Sequence, residues 1–241
     1  MEGFELGPWL GLIGRGLWVT VYATILGTVL ATIVAFVLGM LSLEQHVFPR
    51  TVARIIVEFF RGTSLVVQLF WIVFAMPLLL GYKLDNQVAA ILALGLNFGA
   101  YGAEVVRGAI KAVPKPQREA CTALNLTALH RFRRVILPQA LPLMIPPAGN
   151  LVVQLIKSTP LMFLVGVVDL FTVGDMMRQG QPGSVGLVML GVLVMFFLLS
   201  MAVVAITQLL ENWAKRRLGQ KPVRISTAVV AGAAPAGEIA P

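Results

Sequence analysis

Five long apolar runs constrain the fold of this chain more than any other feature. They cover about residues 16–41, 55–80, 88–110, 140–168 and 185–210. Because about 20 consecutive apolar residues cross the roughly 30 Å hydrocarbon layer of a bilayer, each run is long enough for a transmembrane helix. The composition agrees, since 58% of the residues are hydrophobic, 12% are charged and the mean hydropathy is +0.86. We therefore predict an all-α integral membrane protein with about five transmembrane helices.

The segments between these runs are short and leave little room for a separate soluble domain. Residues 1–15 are acidic and glycine-rich and lack the basic start of a cleaved signal peptide, so we expect the first span to stay in the mature protein. Residues 16–212 form the predicted membrane domain, and residues 111–139 are its longest polar loop. Residues 213–241 open with a basic cluster and continue into an Ala-, Pro- and Gly-rich end, which predicts a largely disordered tail.

The distribution of basic residues predicts the orientation of the chain, because Lys and Arg collect in the cytoplasmic loops of membrane proteins. Most of the 19 basic residues share one side if the patch at 42–54, the loop at 111–139 and the tail lie together: Arg50, Arg54, Arg61, Arg107, Lys111, Lys115, Arg118, Arg131, Arg133, Arg134, Lys215, Arg216, Arg217, Lys221 and Arg224. The other side keeps Arg15, Lys83 and Arg178. We predict an extracytoplasmic N terminus and a cytoplasmic C terminus, and we attribute the net charge of +8 to topology rather than to nucleic acid binding.

Residues that could support catalysis or metal binding are few and scattered. Cys121 is the single cysteine, so neither an intramolecular disulfide nor a cysteine-based metal cluster can form. His46 and His130 both lie in polar loops without a paired nucleophile or a metal-ligand spacing. The pattern G-x-x-x-x-G-K-[ST] is missing from the sequence, so we expect no nucleotide site and no cofactor in this chain.

Two segments of the long polar loop resemble a known family. Residues 119–125 read Glu-Ala-Cys-Thr-Ala-Leu-Asn, and residues 133–140 read Arg-Arg-Val-Ile-Leu-Pro-Gln-Ala. Together they resemble the EAA loop of permease subunits in binding-protein-dependent ABC importers. Further segments are similar to the polar amino acid (histidine/glutamine/arginine) branch of that family: residues 58–63, 67–70, Tyr101, Glu104, residues 107–110 and 147–150. The resemblance covers about residues 18–210 and implies the ABC type I importer permease fold.

The resemblance assigns the polar loop a role in coupling to an ATPase. The residues that it implicates are Glu119, Ala120, Ala123, Leu124, Asn125, Leu137 and Pro138. A short helix that presents Ala120 and Ala123 offers a narrow face for a groove in the partner, and Arg118 and Glu119 would fix its orientation by charge. The family has Gly at the position of Asn125, and Asn is the next-best residue for a left-handed helix end. The alternative is a solvated basic loop that touches only lipid headgroups.

The same resemblance implies the partners of the chain. These are a dimer of ATPase subunits that bind ATP and Mg, a second permease subunit, identical or homologous, and an extracytoplasmic solute-binding protein. The assembly would lie in the bacterial inner membrane and move its substrate by alternating access. A secondary transporter is an alternative, but it would need more spans and an inverted repeat. A channel would need no loop for an ATPase.

Ionisable and amide residues within the runs are the candidate lining of a translocation path. Asn150, Gln154 and Lys157 follow an i, i+4, i+7 spacing that places them on one helix face. The alternative is a packing network in which Lys157 bonds to a carbonyl freed by Pro160 or extends to the interface. Two amides in other spans, Gln68 and Asn97, are weaker candidates because single amides often join helices. Four further residues predict structural ion pairs at i, i+3 spacing: Glu58 with Arg61, and Glu104 with Arg107.

The sequence says least about the substrate. In relatives that import cationic amino acids, the fourth span often carries acidic residues where this chain has Leu151 and Ser158. A path without those carboxylates has less reason to favour a cation, so we expect a neutral or zwitterionic solute. The segments Arg61-Gly62-Thr63-Ser64 and Ala123-Leu124-Asn125-Leu126-Thr127 are most similar to ectoine and hydroxyectoine permeases. An ordinary amino acid is the alternative substrate.

Overall fold

The computed structural model describes residues 7–81 and 84–217, and every regular element in these two ranges is helical. A 3-10 turn at Gly7–Trp9 precedes the first helix, and another at Pro182–Ser184 precedes the last. The principal helices are α1 (Leu10–Leu41), α2 (Val47–Gly62), α3 (Leu65–Leu80), α4 (Asn86–Ala112), α5 (Lys115–Ala123), α6 (Ala128–Val165), α7 (Leu170–Gly180) and α8 (Val185–Arg217).

Four of these helices, α1, α4, α6 and α8, are long and apolar enough to cross a membrane. The pair of α2 and α3 satisfies the same criteria only when taken together, and the two helices meet at an angle of 104°. The run expected as one span at 55–80 is therefore two helices with a sharp break between Gly62 and Leu65. Counting the broken pair as one span gives five, as the hydropathy of the sequence predicts.

The limits of the other helices differ from the predicted spans mainly at their ends. The first helix begins at Leu10 rather than at residue 16, because the apolar residues Leu10, Leu12 and Ile13 continue the helix toward the N terminus. The last helix extends through Arg217 into the segment predicted as a tail. The remainder of that tail, residues 218–241, and the basic residue Lys83 lie outside the described residues.

Helices α1 and α4 form the most extensive helix pair among the described residues. Small residues in α4 permit this close packing, because Gly95, Gly99 and Gly102 lie against α1. A Cβ atom built on Gly99 would lie 2.7 Å from Cβ of Val34, a separation that real Cβ atoms essentially never show. Gly108, at the far end of α4, has no such neighbour within 4 Å. Close approach of backbones is how helices associate in lipid, where apolar burial drives little.

Prolines alter the helices less than the sequence suggests. The fourth apolar run is not broken at Pro142, Pro146 or Pro147, because an α-helix continues from Leu137 to Ser158. It tightens into a 3-10 helix only at Thr159–Val165, beside Pro160. In lipid, neighbouring helices and hydroxyl side chains can satisfy the carbonyls that a proline frees. Thr159 illustrates this, since its hydroxyl donates to the carbonyl of Ile156 at 2.8 Å.

Two wide π turns accommodate prolines within the helices. One spans Trp71–Ala75 in α3, before Pro77, and the other spans Phe132–Ile136 near the start of α6, before Pro138. In each case the residue just before a proline donates its N–H five residues back rather than four, from Met76 to Trp71 and from Leu137 to Phe132. A proline ring clashes with the carbonyl four residues earlier in a regular α-helix. The widened turn moves that carbonyl away, so the helix continues.

Candidate functional site

The polar loop between α4 and α6 contains the short helix α5, whose ends are defined by local chemistry. Pro114 has an extended backbone before the helix, and Pro116 lies in its first turn, where a missing N–H costs nothing. At its C-terminal end Asn125 has a φ of 53°, the left-handed backbone predicted for it. Leu126 donates its N–H to the carbonyl of Cys121 at 3.1 Å, and Asn125 donates to that of Thr122 at 3.0 Å. These two bonds are a Schellman motif, which terminates the helix and reverses the chain.

Helix α6 begins immediately after this reversal. Thr127 caps it, because its hydroxyl accepts the N–H of His130 at 3.4 Å. Arg131 reaches back and donates to the hydroxyl of Thr122 at 3.2 Å, which links α6 to α5. Leu137 and Pro138 are half-buried and directly follow the π turn.

The inner side of α5 is attached to the membrane helices. Arg118 donates to the backbone carbonyl of Ile110 in α4, and Cys121 is buried. Arg118 was expected beside Glu119 on the rim of a docking face. The structure instead turns its side chain inward, where it satisfies a carbonyl at the end of α4. Arg118 and Arg131 therefore connect α5 to α4 and to α6.

The outer side of the loop is a surface of small and apolar residues. Glu119, Ala120 and Ala123 are exposed on α5, and Leu124 is 73% exposed beside them. Leu129 was not among the residues predicted for this site; it is 63% exposed at the start of α6 and lines a cleft of about 380 Å³ with His130, Arg133 and Arg134. An isolated leucine in a strongly basic segment was the available signal. We call the set Ala120, Ala123, Leu124 and Leu129 the loop surface.

The predicted structural ion pairs are each found with their expected partner. Arg61 lies 3.7 Å from Glu58, and its guanidinium also stacks over the ring of Tyr101. Arg107 pairs with Glu104 on one face of α4. Two further pairs were not predicted from the sequence: Asp175 with Arg178 and Glu211 with Lys215. Hydrogen bonds from Arg178 and Gln179 hold the pKa of the Asp175 carboxyl below its ordinary value.

Gln68 and Asn97, two candidates for the path, are buried at the break between α2 and α3. The amide of Gln68 donates to the carbonyl of Phe60 at 2.9 Å and to the hydroxyl of Thr63 at 2.7 Å. Asn97 donates to the same Phe60 carbonyl at 3.0 Å and to the Gln68 side-chain oxygen at 3.1 Å. A helix end leaves such carbonyls without partners inside its own helix. The contacts thus assign both amides to holding the break, and a role in the path stays a prediction.

Asn150, Gln154 and Lys157 are exposed along one face of α6, as their spacing predicts. Within the described part of the chain, none of the three side chains has a hydrogen bond or an ion pair. The carbonyl that Pro160 frees, that of Ile156, accepts a hydrogen bond from Thr159 and none from Lys157. The alternative in which Lys157 bonds to this carbonyl is therefore wrong. Lys157 instead lines an apolar cleft between α6 and α8 with a volume of about 420 Å³, in which Ser200 is another polar member.

The turn between α6 and α7 buries a carboxylate that was not among the predicted site residues. Asp169 is 0% exposed, and its Oδ1 accepts the N–H of Thr172 at 2.9 Å and the hydroxyl of Thr172 at 2.6 Å. Its Oδ2 has no hydrogen-bond partner in the described residues. Burial raises the pKa of this carboxyl above its ordinary value, against the bonds from Thr172 that lower it. Asp169 caps α7 and packs that helix against Gly16 of α1.

Comparison with known proteins places most of the chain in one family. Residues 27–216 match the family described as "Binding-protein-dependent transport system inner membrane component". The probable amino-acid ABC transporter permease protein y4tF of Sinorhizobium fredii (strain NBRC 101917 / NGR234) is 38% identical over 218 residues, which are 88% of this chain and 91% of that protein. The L-cystine transport system permease protein TcyL of Bacillus subtilis (strain 168) is 31% identical over 205 residues, 80% of this chain and 82% of TcyL.

Solved structures agree with the family match. The crystal structure of an amino acid ABC transporter with histidines aligns with a TM-score of 0.78 and 25% identity, covering 88% of this chain and 99% of that chain. An inward-facing conformation of the MetNI methionine ABC transporter aligns with a TM-score of 0.67 and 22% identity, covering 85% of this chain and 98% of that one. The second similarity concerns the fold alone.

Proposed function

This chain belongs to the family of binding-protein-dependent transport system inner membrane components, and we propose that its importer carries a polar amino acid or a similar small zwitterion into the cytoplasm. The chain is the permease subunit of an ABC importer in the inner membrane. It is not an enzyme, because ATP hydrolysis in this family resides in a separate ATPase subunit, and an extracytoplasmic binding protein delivers the substrate. ATP and Mg would bind to that ATPase and not to this chain.

The observation that carries the coupling mechanism is the loop surface together with its two attachments. An ATPase groove would receive the small side chains of Ala120 and Ala123, with Leu124 and Leu129 at the margins. Movement of the ATPases would displace α5, and the contacts of Arg118 and Arg131 would pass that displacement to α4 and α6. Only contacts that differ between the inward-open and outward-open states can drive the change. The predicted orientation puts this loop in the cytoplasm, where the ATPase lies.

The coupling proposal is tested by placing a charge in the loop surface. Ala123→Glu should abolish ATP-driven uptake in proteoliposomes, because an unpaired carboxylate would be buried on docking. Membrane insertion should be unchanged, since residue 123 is exposed in the isolated chain. Ala112→Glu makes the same change at an exposed alanine at the end of α4 and should retain uptake. Normal uptake by Ala123→Glu would contradict the docking role, and equal loss in both variants would indicate general damage.

The exposed stripe on α6 supports a path between this chain and a second permease subunit. The stripe presents the polar side chains of Asn150, Gln154 and Lys157, which have no partners in the described residues. Substrate or water can therefore form hydrogen bonds with them. Lys157→Met should lower both uptake and substrate-stimulated ATP hydrolysis at least several-fold, because a methionine keeps the length and loses the charge. Gln208→Met in α8, at another half-buried polar position, is the control and should change neither. Unchanged activity of Lys157→Met would remove Lys157 from the path.

An ordinary polar amino acid is the favoured substrate, because the relatives are named as amino acid permeases, y4tF in general terms and TcyL for L-cystine. The ectoine expectation rests on short segments alone and gains no support from these relatives. Leu151 and Ser158, where cationic transporters carry acids, favour a neutral or zwitterionic solute. Calorimetry of the cognate binding protein with glutamine, cystine, arginine, ectoine and hydroxyectoine decides between them. Selective binding of arginine would overturn the charge argument, and selective binding of ectoine would overturn the amino acid assignment.

A further inference from the structure

Helix α2 has three distinct faces, and only one of them packs against the rest of the chain. The packed face carries Ala53 and Val57, which are buried with Leu38 of α1 and Ala103 of α4. This contact attaches α2 firmly to two membrane-spanning helices. The other two faces are free in the described part of the chain, and their chemistry differs.

The second face is an exposed apolar stripe. Phe48 is 81% exposed and Ile55 is 63% exposed, and Val52 and Phe59 complete the stripe. The i, i+4, i+7 and i+11 spacing places all four side chains along one line of the helix. No described residue covers them. A continuous apolar stripe of this size next to polar residues indicates a surface that is covered by lipid or by protein in the working molecule.

The third face is basic. Arg50 and Arg54 lie one helical turn apart, and among the described residues neither has an ion-pair or hydrogen-bond partner. The only carboxylate on α2, Glu58, is already paired with Arg61 at 3.7 Å. Two unpaired guanidinium groups therefore lie on the side of α2 away from the apolar stripe. A helix with an apolar face and a separate basic face is typical of helices that lie in a membrane interface.

The direction of α2 fits that environment. It meets α3 at 104°, so when α3 crosses the bilayer α2 runs nearly parallel to the membrane plane. At 1.5 Å per residue α3 alone is about 24 Å long, which nearly spans the hydrocarbon layer. The five crossings of α1, α3, α4, α6 and α8 then leave α2 on the side that carries most of the basic residues.

We propose that α2 lies in the cytoplasmic interface of the membrane and binds anionic phospholipids. The stripe of Phe48, Val52, Ile55 and Phe59 would enter the boundary of the acyl chains. Arg50 and Arg54 would extend their side chains to phosphate groups, as long basic side chains do at interfaces. A negatively charged lipid surface satisfies both free faces at once, whereas a protein partner would have to supply matching apolar and acidic surfaces. The proposal rests on the orientation of the chain and is independent of the transported solute.

Spin labels at two positions on the full-length chain, assembled with its ATPase in lipid nanodiscs, test the placement. A label at Val52→Cys should contact oxygen and be shielded from a water-soluble nickel complex, as expected for the acyl boundary. A label at Thr51→Cys, on an exposed and adjacent face, should be accessible to the nickel complex. The unsubstituted chain measures the background from the buried Cys121. Access of nickel to both labels would overturn the interfacial placement, and shielding of residue 52 from both reagents would indicate a protein partner and overturn it too.

The lipid preference is tested separately with charge variants. Native mass spectrometry of the complex in mixed phosphatidylglycerol and phosphatidylcholine should show selective retention of phosphatidylglycerol. Arg50→Gln with Arg54→Gln should weaken that preference on the order of fivefold for each arginine removed. Arg50→Lys with Arg54→Lys keeps the charge and should retain it. An unchanged preference in the Gln variant would overturn the headgroup site. Because neither experiment measures transport, failure here is distinct from failure of the proposed function.

Discussion

Two regions of this permease hold helices together in different ways. The seam between α1 and α4 depends on shape, because glycines on α4 let the backbones approach and Val34 fills the space over Gly99. The break between α2 and α3 depends on polar contacts, because Gln68, Asn97 and Thr63 bond to carbonyls at the end of α2. A seam of this kind fixes two straight helices side by side. Polar side chains are needed where the backbone leaves the helix, because its carbonyls would otherwise have no hydrogen-bond donor in lipid. We call Gln68, Asn97 and Thr63 together the polar clasp.

The largest effect should come from the seam. Gly99→Leu places a side chain where even a Cβ atom would lie 2.7 Å from Val34, and that contact involves atoms close to the backbone of α1. Overpacking of a tight interior costs about 1–3 kcal/mol or more, and here two spans would have to separate. We expect loss of the monodisperse folded protein in size-exclusion chromatography after mild extraction.

Gly108→Leu is the matched control for that seam variant, because no atom lies within 4 Å of a Cβ at residue 108. It should give a yield and elution profile similar to those of the unsubstituted chain. Equal behaviour of the two leucine variants would show that the close approach of α1 and α4 is not required for folding.

A smaller effect is expected at the break. Asn97→Leu removes one donor to the carbonyl of Phe60 and leaves the side-chain oxygen of Gln68 without its donor. Leaving a buried polar atom unsatisfied costs about 1–3 kcal/mol, and measured side-chain bonds in membranes lie near the lower end. The variant should therefore fold but unfold at a lower denaturant concentration in bicelles.

Two controls sharpen the interpretation of Asn97→Leu. The variant Asn86→Leu removes a different amide of α4, whose single described bond at 2.7 Å goes to the carbonyl of Val165. The double variant Gln68→Leu with Asn97→Leu should lower the free energy of unfolding by less than the sum of the two single variants, because the two amides share one hydrogen-bond network. Strict additivity would mean that the two amides act independently and that the clasp is not a unit.

The two regions also differ in how well the sequence predicts them. The sequence shows directly both the long apolar runs, which predict the spans, and the small residues of α4, which favour close helix packing such as that at the seam. The break was not predicted, since residues on either side of it are apolar and hydropathy carries no information about direction. The polar tetrapeptide from Arg61 to Ser64 was the available signal. The loop reversal was predicted at Asn125 because few residue types adopt a left-handed backbone.

The residues of the candidate site also differ in how well the sequence predicts their contacts. Pairs at fixed local spacing, such as Glu104 with Arg107, can be predicted because a helix brings them together regardless of its surroundings. The roles of Gln68 and Arg118 could not, because their partners lie on other elements and depend on how those elements pack. Sequence separation hides these contacts, since Asn97 is far along the chain from Phe60.

The turn at Asp169, between α6 and α7, is a third case, in which the polar contacts that hold the turn are incomplete. Oδ1 is bonded to Thr172, but Oδ2 is buried without a described partner, and burial raises the pKa of the carboxyl. A raised pKa in the folded state means that folding favours the protonated acid. The resulting stabilisation is complete below the ordinary pKa near 3.8 and is lost as the pH rises through the folded-state value.

Asp169→Asn should remove this pH dependence with the smallest change in stability. The asparagine keeps an oxygen that can accept from Thr172, so the cap of α7 survives, and it cannot ionise. Denaturation in bicelles from acidic to neutral pH should show the unsubstituted chain losing stability as the pH rises, whereas the profile of Asp169→Asn should be flatter over the same range. Asp169→Ala, which loses the cap as well, should be less stable than Asp169→Asn at every pH. Parallel pH profiles for the unsubstituted chain and Asp169→Asn would show that the carboxylate ionises without cost, so the turn at Asp169 would be as well satisfied as the polar clasp at the break.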